Sequence, residues 1–298
     1  MVNKRVVIVD GNQHCYRMYH KMPDLRFGAF NTGIIYGFVQ AVHGWVKGFN
    51  PQTLIICWDG GVSKERRAIL PGYKVRDKKD NFDADDFYFQ RKTIIDVLNS
   101  LNVIQYLQPG VEADDYVYAL TRKYRKNHKV IIASRDKDFK PLIGPNVKMW
   151  DDHTKRFLHS ANFERLENIK RELFLDMLCI TGDKSDKIPG YPGVGEANVR
   201  KILAKGNLKQ FLNDHSQYYN FVDKSKLEVI YKRNRRLINL HYYWKKWGHN
   251  LTMQEVEPET RKYDPKLFKI HCDRLGFRSF RNKTFYKPFL TINKTKIL

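Results

Sequence analysis

Residues Val6–Gly11 read VVIVDG, a short apolar run that ends in an acid and a glycine. The same pattern returns at Leu54–Gly60, which reads LIICWDG, and at Val130–Asp136, which reads VIIASRD. Segments with helical spacing lie between these runs, for example Thr32–Trp45 and Gln90–Leu101. Short apolar runs that alternate with helices are typical of α/β proteins with a mostly parallel central sheet flanked by helices.

Each of the three runs leads into an aspartate, namely Asp10, Asp59 and Asp136. The carboxyl ends of parallel strands meet at one edge of a sheet, which is where ligands bind in open α/β folds. One such aspartate could be a turn residue or a helix cap. Three of them at one edge favour a shared site.

Six further acidic residues lie in short clusters that could join the same site. Glu112-Ala-Asp114-Asp115 follows Pro109-Gly110 and opens a helical segment that runs to about Lys126. Three more acids complete the set: Asp138 lies beside Asp136, and Asp183 and Asp186 follow a helix that ends near Gly182. Converging carboxylates repel one another unless cations neutralise them, and hard divalent cations prefer oxygen ligands.

Any one of these clusters could also be a set of helix caps and first-turn acids stabilised by the helix dipole. The segment Asp83–Asp86 reads DADD and resembles the acids at 112–115. It follows a lysine-rich stretch and no strand, so we expect it to be the exposed start of a helix over 86–101.

The charge and the cysteine content limit the classes of function that the chain could have. The 298 residues include 54 Lys and Arg against 32 Asp and Glu, a net charge of +22. A protein this basic usually binds a polyanion, most often nucleic acid, although a basic protein without a special partner remains an alternative. Four scattered cysteines without a CxxC pair argue against a zinc site and predict a reduced, cytoplasmic protein. We expect neither a signal peptide nor a membrane span.

From about Glu164 the chain becomes mostly helical. Ile188–Gly195 reads IPGYPGVG, a tight hairpin of glycines and prolines that precedes a short helix to about Leu203. Residues 224–247 are rich in Lys, Arg and aromatic residues, and no motif is found beyond about 248.

In chain order, the segments IVDGN, WDG, LPGYK, GVEADD, SRDKD and GDKSD resemble the flap endonuclease/5′-exonuclease family. That family includes the 5′-nuclease domain of bacterial DNA polymerase I and stand-alone phage-type exonucleases. The resemblance covers roughly residues 5–240. GVEADD, and GDKSD followed by a glycine-rich hairpin, are its most specific parts.

The resemblance implies a PIN-like α/β fold and a metal-dependent 5′-3′ exonuclease and flap endonuclease with two or more Mg²⁺ or Mn²⁺ ions. One ion would be held by Asp10, Asp59, Glu112, Asp114 and Asp115, and a second by Asp136, Asp138, Asp183 and Asp186. The basic pair that contacts the scissile phosphate would be Lys74 and Arg76, although the family usually spaces the two cations by two residues and here only Val75 intervenes.

The resemblance also implies DNA contacts. Gly190, Gly193 and Gly195 would form a helix-hairpin-helix, part of a helix–three-turn–helix motif, that binds phosphate and can hold K⁺. A helical arch at about 74–101 would line a passage for a single strand with Lys74, Arg76, Lys78, Lys79 and Arg91. Tyr73 would be a further DNA contact, and Arg17 would contact phosphate. Where the family often has a lysine, this chain has Glu196-Ala197, so that contact is lost or moves to Arg200 and Lys201. The alternative for the hairpin is a plain connection between helices, and the alternative for the arch is a solvent-exposed charged helix.

We therefore expect a catalytic domain over 1–163, a helical domain over 164–247 and a C-terminal extension over 248–298. The substrate would be DNA with free 5′ ends, flaps or nicks, or RNA/DNA hybrids, in primer or flap removal during replication. We expect a monomer with possible replication-protein partners in a bacterial or phage-infected cell. The alternatives are a non-catalytic protein that binds DNA structures and a PIN-type ribonuclease.

Overall fold

The computed structural model describes residues 4–75, 82–204, 206, 208–213 and 222–293. Its strands are β1 (Arg5–Asp10), β2 (Arg26–Phe27), β3 (Phe30–Asn31), β4 (Thr53–Cys57), β5 (Ile104–Tyr106), β6 (Lys129–Ala133), β7 (Val147–Asp151), β8 (Arg156–Leu158), β9 (Gly182–Asp183) and β10 (Ile188–Pro189). Its α-helices are α1 (Gly11–Lys21), α2 (Gly33–Phe49), α3 (Lys64–Ile69), α4 (Ala84–Ser100), α5 (Ala113–Tyr124), α6 (Phe163–Glu167), α7 (Arg171–Thr181), α8 (Glu196–Ala204), α9 (Leu208–Asn213), α10 (Lys224–Ile238), α11 (Leu240–Trp247), α12 (Pro265–Arg274) and α13 (Lys283–Tyr286).

Six strands form the central sheet in the order β5-β4-β1-β6-β7-β8. All neighbouring pairs are parallel except β7 with β8. The first strand lies between β4 and β6, with Asp10 beside Cys57 and Val9 beside Ala133. This register confirms the predicted mostly parallel sheet, and it puts the three strand-end aspartates at one edge.

Both faces of the sheet are covered, which explains why its strands are continuous apolar runs rather than alternating ones. Val6 and Ile8 pack into a core shared with α5, α7, α8 and α10. Val7 and Val9 pack into a second core with α1, α2 and α4. All four side chains are fully buried.

The C-terminal segment completes the second core. Phe268 on α12 and Phe289, in a 3-10 helix at Lys287–Thr291, are fully buried there beside residues of α2 and α4. The buried Asn293 side chain accepts a hydrogen bond from the Leu54 amide at 3.1 Å and donates to the Leu54 carbonyl at 3.2 Å. The segment that carried no recognisable motif therefore packs against the sheet and its helices.

The helix predicted over 86–101 is α4, which begins at Ala84. Asp83 is its exposed N-cap and accepts a hydrogen bond from the Asp86 amide at 2.9 Å. The interpretation of DADD as a helix start is confirmed. Arg76, Lys78 and Lys79 lie outside the described residues. Among the helices described, none has the length and apolar character needed to span a bilayer.

Candidate metal centre

Three aspartates from three different elements converge at the carboxyl edge of the sheet. Asp10 ends β1 and caps α1, Asp114 lies in the first turn of α5, and Asp136 follows β6. One oxygen from each side chain lies within 4.8 Å of the others, and we call these three residues the first cluster. The Asp10 carboxylate accepts a hydrogen bond from the Gln13 amide at 3.1 Å, so the start of α1 helps to orient it.

A second group of three acids lies close to the first in space. Asp138, Asp183 and Asp186 each offer an oxygen within 4.8 Å of the others, and we call them the second cluster. Asp138 is two residues after Asp136, while Asp183 lies on β9 and Asp186 in the turn before β10. The Asp138 Oδ1 atom is buried and has no hydrogen-bond partner. A buried carboxylate oxygen without a donor is costly unless a cation pairs with it.

The pKa values of these acids show how strained the arrangement is without a cation. Burial, followed by repulsion from Asp114 and Asp59, raises the pKa of Asp10 well above its ordinary value. Burial and repulsion from Asp114 raise the pKa of Asp136 to about 6. Burial raises the pKa of Asp186 to about 7, although the Lys74 ammonium opposes the shift. Oxygen-only donor sets of this kind fit hard divalent cations such as Mg²⁺ or Mn²⁺.

The grouping of the acids differs from the prediction in two places. Asp136 was expected to hold the second ion, yet its oxygen lies with Asp10 and Asp114, because β6 ends directly beside β1. Asp59 was expected among the first ligands and belongs to neither cluster. Its Oδ1 atom accepts a hydrogen bond from the Ala113 amide at 2.9 Å, which anchors the start of α5.

Asp115 was predicted to hold an ion, and in this structure both of its carboxylate oxygens accept hydrogen bonds from a protein cation. The Arg66 guanidinium donates to them at 2.7 and 3.0 Å. Asp115 and Asp114 are successive residues of one helix turn, so their side chains point in different directions. Only Asp114 reaches the first cluster.

Glu112 was also predicted to hold an ion, and both of its oxygens accept protein hydrogen bonds. Oε1 accepts from the Ser63 amide at 2.9 Å, and Oε2 accepts from the Tyr73 hydroxyl at 2.9 Å and the Lys74 ammonium at 2.7 Å. Burial alone would raise the pKa of Glu112, but Arg66 and Lys74 lower it to about 2. Glu112 is therefore ionised, and in this arrangement its charge is paired with Arg66 and Lys74.

The Lys74 ammonium lies between the two clusters. It is 3.4 Å from an Asp114 oxygen and 3.7 Å from an Asp186 oxygen. Its backbone has a φ of 50°, in the left-handed region, and its amide donates to the Asp186 carbonyl at 2.9 Å. The residue predicted to be catalytic therefore stands where the two sets of acids meet.

Two residues predicted to contact DNA have other partners. Tyr73 is 2% exposed, and its hydroxyl donates to Glu112, so the ring helps to hold an acid rather than to present itself to a ligand. Arg17 lies on α1 and forms an ion pair with the buried Asp152 at 3.7 Å. Arg66, which pairs with Asp115, was not singled out from the sequence. It stands in the charged run KERR at 64–67, where no local pattern distinguishes a buried arginine from its exposed neighbours.

The three glycines of the hairpin have different surroundings. A Cβ on Gly190 would lie 2.1 Å from the Thr181 carbonyl oxygen, so this glycine is needed for the hairpin to pack on α7. Gly193 has a φ of +74°, and both Gly193 and Gly195 face open space just before α8. Beyond them, Arg200 forms an ion pair with Glu196 at 3.0 Å and Lys201 is exposed.

The chain is similar to known proteins in sequence and in fold. The family model described as 5′-3′ exonuclease, N-terminal resolvase-like domain, matches residues 5–168. The 5′-3′ exonuclease of Aquifex aeolicus is 29% identical over 235 residues, which cover 77% of this chain and 80% of that protein. Flap endonuclease Xni of Shewanella halifaxensis is 28% identical over 247 residues, covering 80% of this chain and 90% of that protein.

A similar fold occurs in a solved structure, the T5 5′-exonuclease with bound zinc ions. It matches with a TM-score of 0.71 and 22% identity, covering 90% of this chain and all of the other. A T5 D15 protein crystallised with metal ions gives the same TM-score at 20% identity and the same coverage. At these identities the likeness shows the shared fold.

The raised pKa values predict how a divalent cation stabilises the protein at different pH. Asp136 and Asp186 keep their protons to about pH 6 and 7 in the folded state, against an ordinary pKa of 3.8. The folded state therefore binds more protons than the unfolded state between about pH 4 and 7, so the stability of the metal-free protein falls as pH rises. We expect the rise in Tm on adding Mg²⁺ to be larger at pH 8 than at pH 5.5.

This is checked by thermal unfolding in EDTA and in Mg²⁺ at both pH values. Asp138→Asn should shrink the difference, whereas Asp85→Asn, on the exposed start of α4, should preserve it. An Mg²⁺ effect that is equal at the two pH values, or larger at pH 5.5, would contradict the expectation.

Proposed function

This chain belongs to the 5′-3′ exonuclease family, and we propose that it hydrolyses DNA phosphodiester bonds at free 5′ ends and 5′ flaps with the help of divalent cations. The chain is a nuclease, as the family match and its named relatives indicate. The observation that carries the proposal is the pair of adjacent three-aspartate clusters at the carboxyl edge of the sheet.

The first cluster would hold one ion and the second cluster another, with Asp59 beside the first. Ions bound there would supply an activated water and charge stabilisation for phosphodiester hydrolysis, so no covalent nucleophile on the protein would be needed. The all-oxygen donor set favours Mg²⁺ or Mn²⁺ over softer metals. We expect 5′-phosphate and 3′-hydroxyl products.

Lys74 is proposed to stabilise the negative charge that builds on the phosphate oxygens. Its ammonium lies within 3.7 Å of acids from both clusters, so it is close to the place where those acids would hold cations beside a substrate phosphate. A fixed positive group at such a position lowers the barrier. Arg76, outside the described residues, stays a prediction for the same task.

DNA would be bound mainly through its phosphates. The net charge of +22 supports strong, sequence-independent attraction to the backbone. We propose that the hairpin through Gly193 and Gly195, followed by α8, forms the helix-hairpin-helix, since exposed glycines let phosphate approach backbone amides at a helix N-terminus. We also propose that this hairpin can bind a K⁺ ion.

The exposed cations Lys232, Arg236, Lys245 and Lys246 extend a basic surface along α10 and α11. We infer that the helical region over 164–247 grips the duplex while the α/β region over 1–163 cuts. A monomer in the cytoplasm of a bacterial or phage-infected cell, acting on flaps or RNA primers during replication, is the setting that this activity fits.

Asp136→Asn should abolish cleavage of a 5′-flap DNA in Mg²⁺, because the first cluster loses a charged ligand, while DNA binding survives. The measurement is gel analysis with 5′- and 3′-labelled flap DNA and a matched RNA, in Mg²⁺ and in EDTA. Asp85→Asn is the matched control, since this exposed aspartate belongs to the similar sequence DADD. Wild-type protein that binds the flap without cutting it would indicate a DNA-structure-binding protein, and cutting of RNA alone would indicate a ribonuclease.

Lys74→Ala should lower the single-turnover rate by about 10²–10³, the range for loss of one electrostatic stabiliser. Affinity for flap DNA, measured in Ca²⁺, should change far less, since one phosphate contact among many is a small share of binding. Lys64→Ala, an exposed lysine on α3, is the control. A rate that holds while binding collapses would make Lys74 a docking residue.

Gly195→Val should weaken binding to duplex DNA without unfolding the protein. A Cβ at Gly195 meets no atom within 4 Å, so the free protein has room for the side chain. The branched side chain would instead block the approach of phosphate to the backbone. Binding of nicked duplex as a function of salt checks this, and unchanged affinity would show that the hairpin is only a connector.

A further inference from the structure

Arg66 is a fully buried cation at the back of the metal centre. Its side chain is 1% exposed. It lies on the short helix α3, a few residues before Tyr73 and Lys74 in the chain. It is one of the largest side chains in the described residues with an exposure below 2%. A buried arginine is costly unless its charge and its donors are matched.

The guanidinium is matched by the first turn of α5. Both Asp115 oxygens accept from it, at 2.7 and 3.0 Å, in the parallel two-bond geometry that suits a planar guanidinium. An oxygen of Glu112 lies 3.4 Å from the same group. Arg66 therefore holds two acids that are one helical turn apart.

Arg66 also connects the metal centre to the helical part of the chain. Its Nε donates to the Leu237 carbonyl at 3.3 Å, near the end of α10. Its guanidinium carbon lies 3.9 Å from the centre of the Tyr243 ring on α11. One side chain thus joins α3, α5, α10 and α11.

Asp114 lies in the turn that Arg66 holds. Glu112 and Asp115 face Arg66, while Asp114, between them in sequence, faces Asp10 and Asp136. A small rotation of this turn about the axis of α5 would move the Asp114 carboxylate out of the first cluster. It would also release two buried carboxylates, which would then compete with the clusters for cations.

We propose that Arg66 is a positioning residue for the first cluster: by holding Glu112 and Asp115 it orients the first turn of α5, and thereby places Asp114 against Asp10 and Asp136. The inference rests on the proposed metal-dependent function. It predicts that metal binding and the cleavage rate respond to the shape of the Arg66 side chain, not only to its charge.

Arg66→Lys keeps the charge and removes the two-bond geometry. We expect it to weaken Mn²⁺ binding, measured by calorimetry on the DNA-free protein, by about tenfold or more. The single-turnover rate on a 5′ flap at fixed Mg²⁺ should fall at least as much, while affinity for the flap in Ca²⁺ stays within about twofold. Arg67→Lys, the exposed neighbour on the same helix, should match wild type in all three measurements.

Asp115→Asn provides a second variant that keeps the shape of the partner, in case Arg66→Lys does not fold. It should weaken Mn²⁺ binding to a similar extent, and the double variant should be no worse than either single variant, since both remove one interaction. Losses that add would show that Asp115 binds the ion directly and would overturn the proposal. Mn²⁺ affinity and rate within about twofold of wild type in the variants would overturn it as well.

Different results would refute the proposed function and the role of Arg66. Wild-type protein that does not cut flap DNA would refute the proposed function, and the Mn²⁺ measurement would still decide the role of Arg66. Wild-type protein that cuts, with variants that bind Mn²⁺ and cut as well as wild type, would refute only the role of Arg66.

Discussion

Repulsion among carboxylates crowded at one sheet edge is the constraint on which the rest of this structure depends. Six aspartates lie in two adjacent clusters, in a chain whose net charge is +22. Burial and mutual repulsion raise the pKa values of Asp10, Asp136, Asp138 and Asp186. Buried carboxylates this close together are stable in their ionised form only when cations neutralise them, which supports the proposal that divalent cations bind here.

The fold supplies these acids from distant parts of the chain. Parallel strands bring Asp10 and Asp136 to one edge, and α5 adds Asp114. The second cluster depends on the turn between β9 and β10, which packs on the end of α7. A Cβ on Gly182 would lie 2.3 Å from the Ile188 carbonyl oxygen, and Gly182 has a φ of +71°, so the close approach requires glycine.

Much of this could be predicted from the sequence, because the determining patterns are local. Apolar runs that end in aspartate predicted β1, β4 and β6, and the contexts of DADD and GVEADD separated an exposed helix start from the buried acids. The division of the acids between clusters could not be predicted, since it depends on which strand ends are neighbours and on which way each side chain of a helix turn points. The position of Asp136 beside Asp10 and Asp114, and the pairing of Asp115 with Arg66, are such features of the folded chain.

The role of Arg66 escaped prediction for a related reason. Its partners, Asp115, Leu237 and Tyr243, are far away in sequence, and its neighbours in the run KERR look alike. Likewise, the apolar residues of the C-terminal segment pack against residues that are distant in sequence. The position of Phe268 and Phe289 in the second core could therefore not be predicted from local patterns.

We propose that each of the two aspartate clusters holds a divalent cation. Crystals of the protein grown with Mn²⁺ would reveal the ions by anomalous scattering at the manganese edge. We expect one peak among Asp10, Asp114 and Asp136 and another among Asp138, Asp183 and Asp186, with Lys74 displaced from between them. Absence of peaks at both clusters, or peaks that lie instead at Glu112 and Asp115, would contradict it.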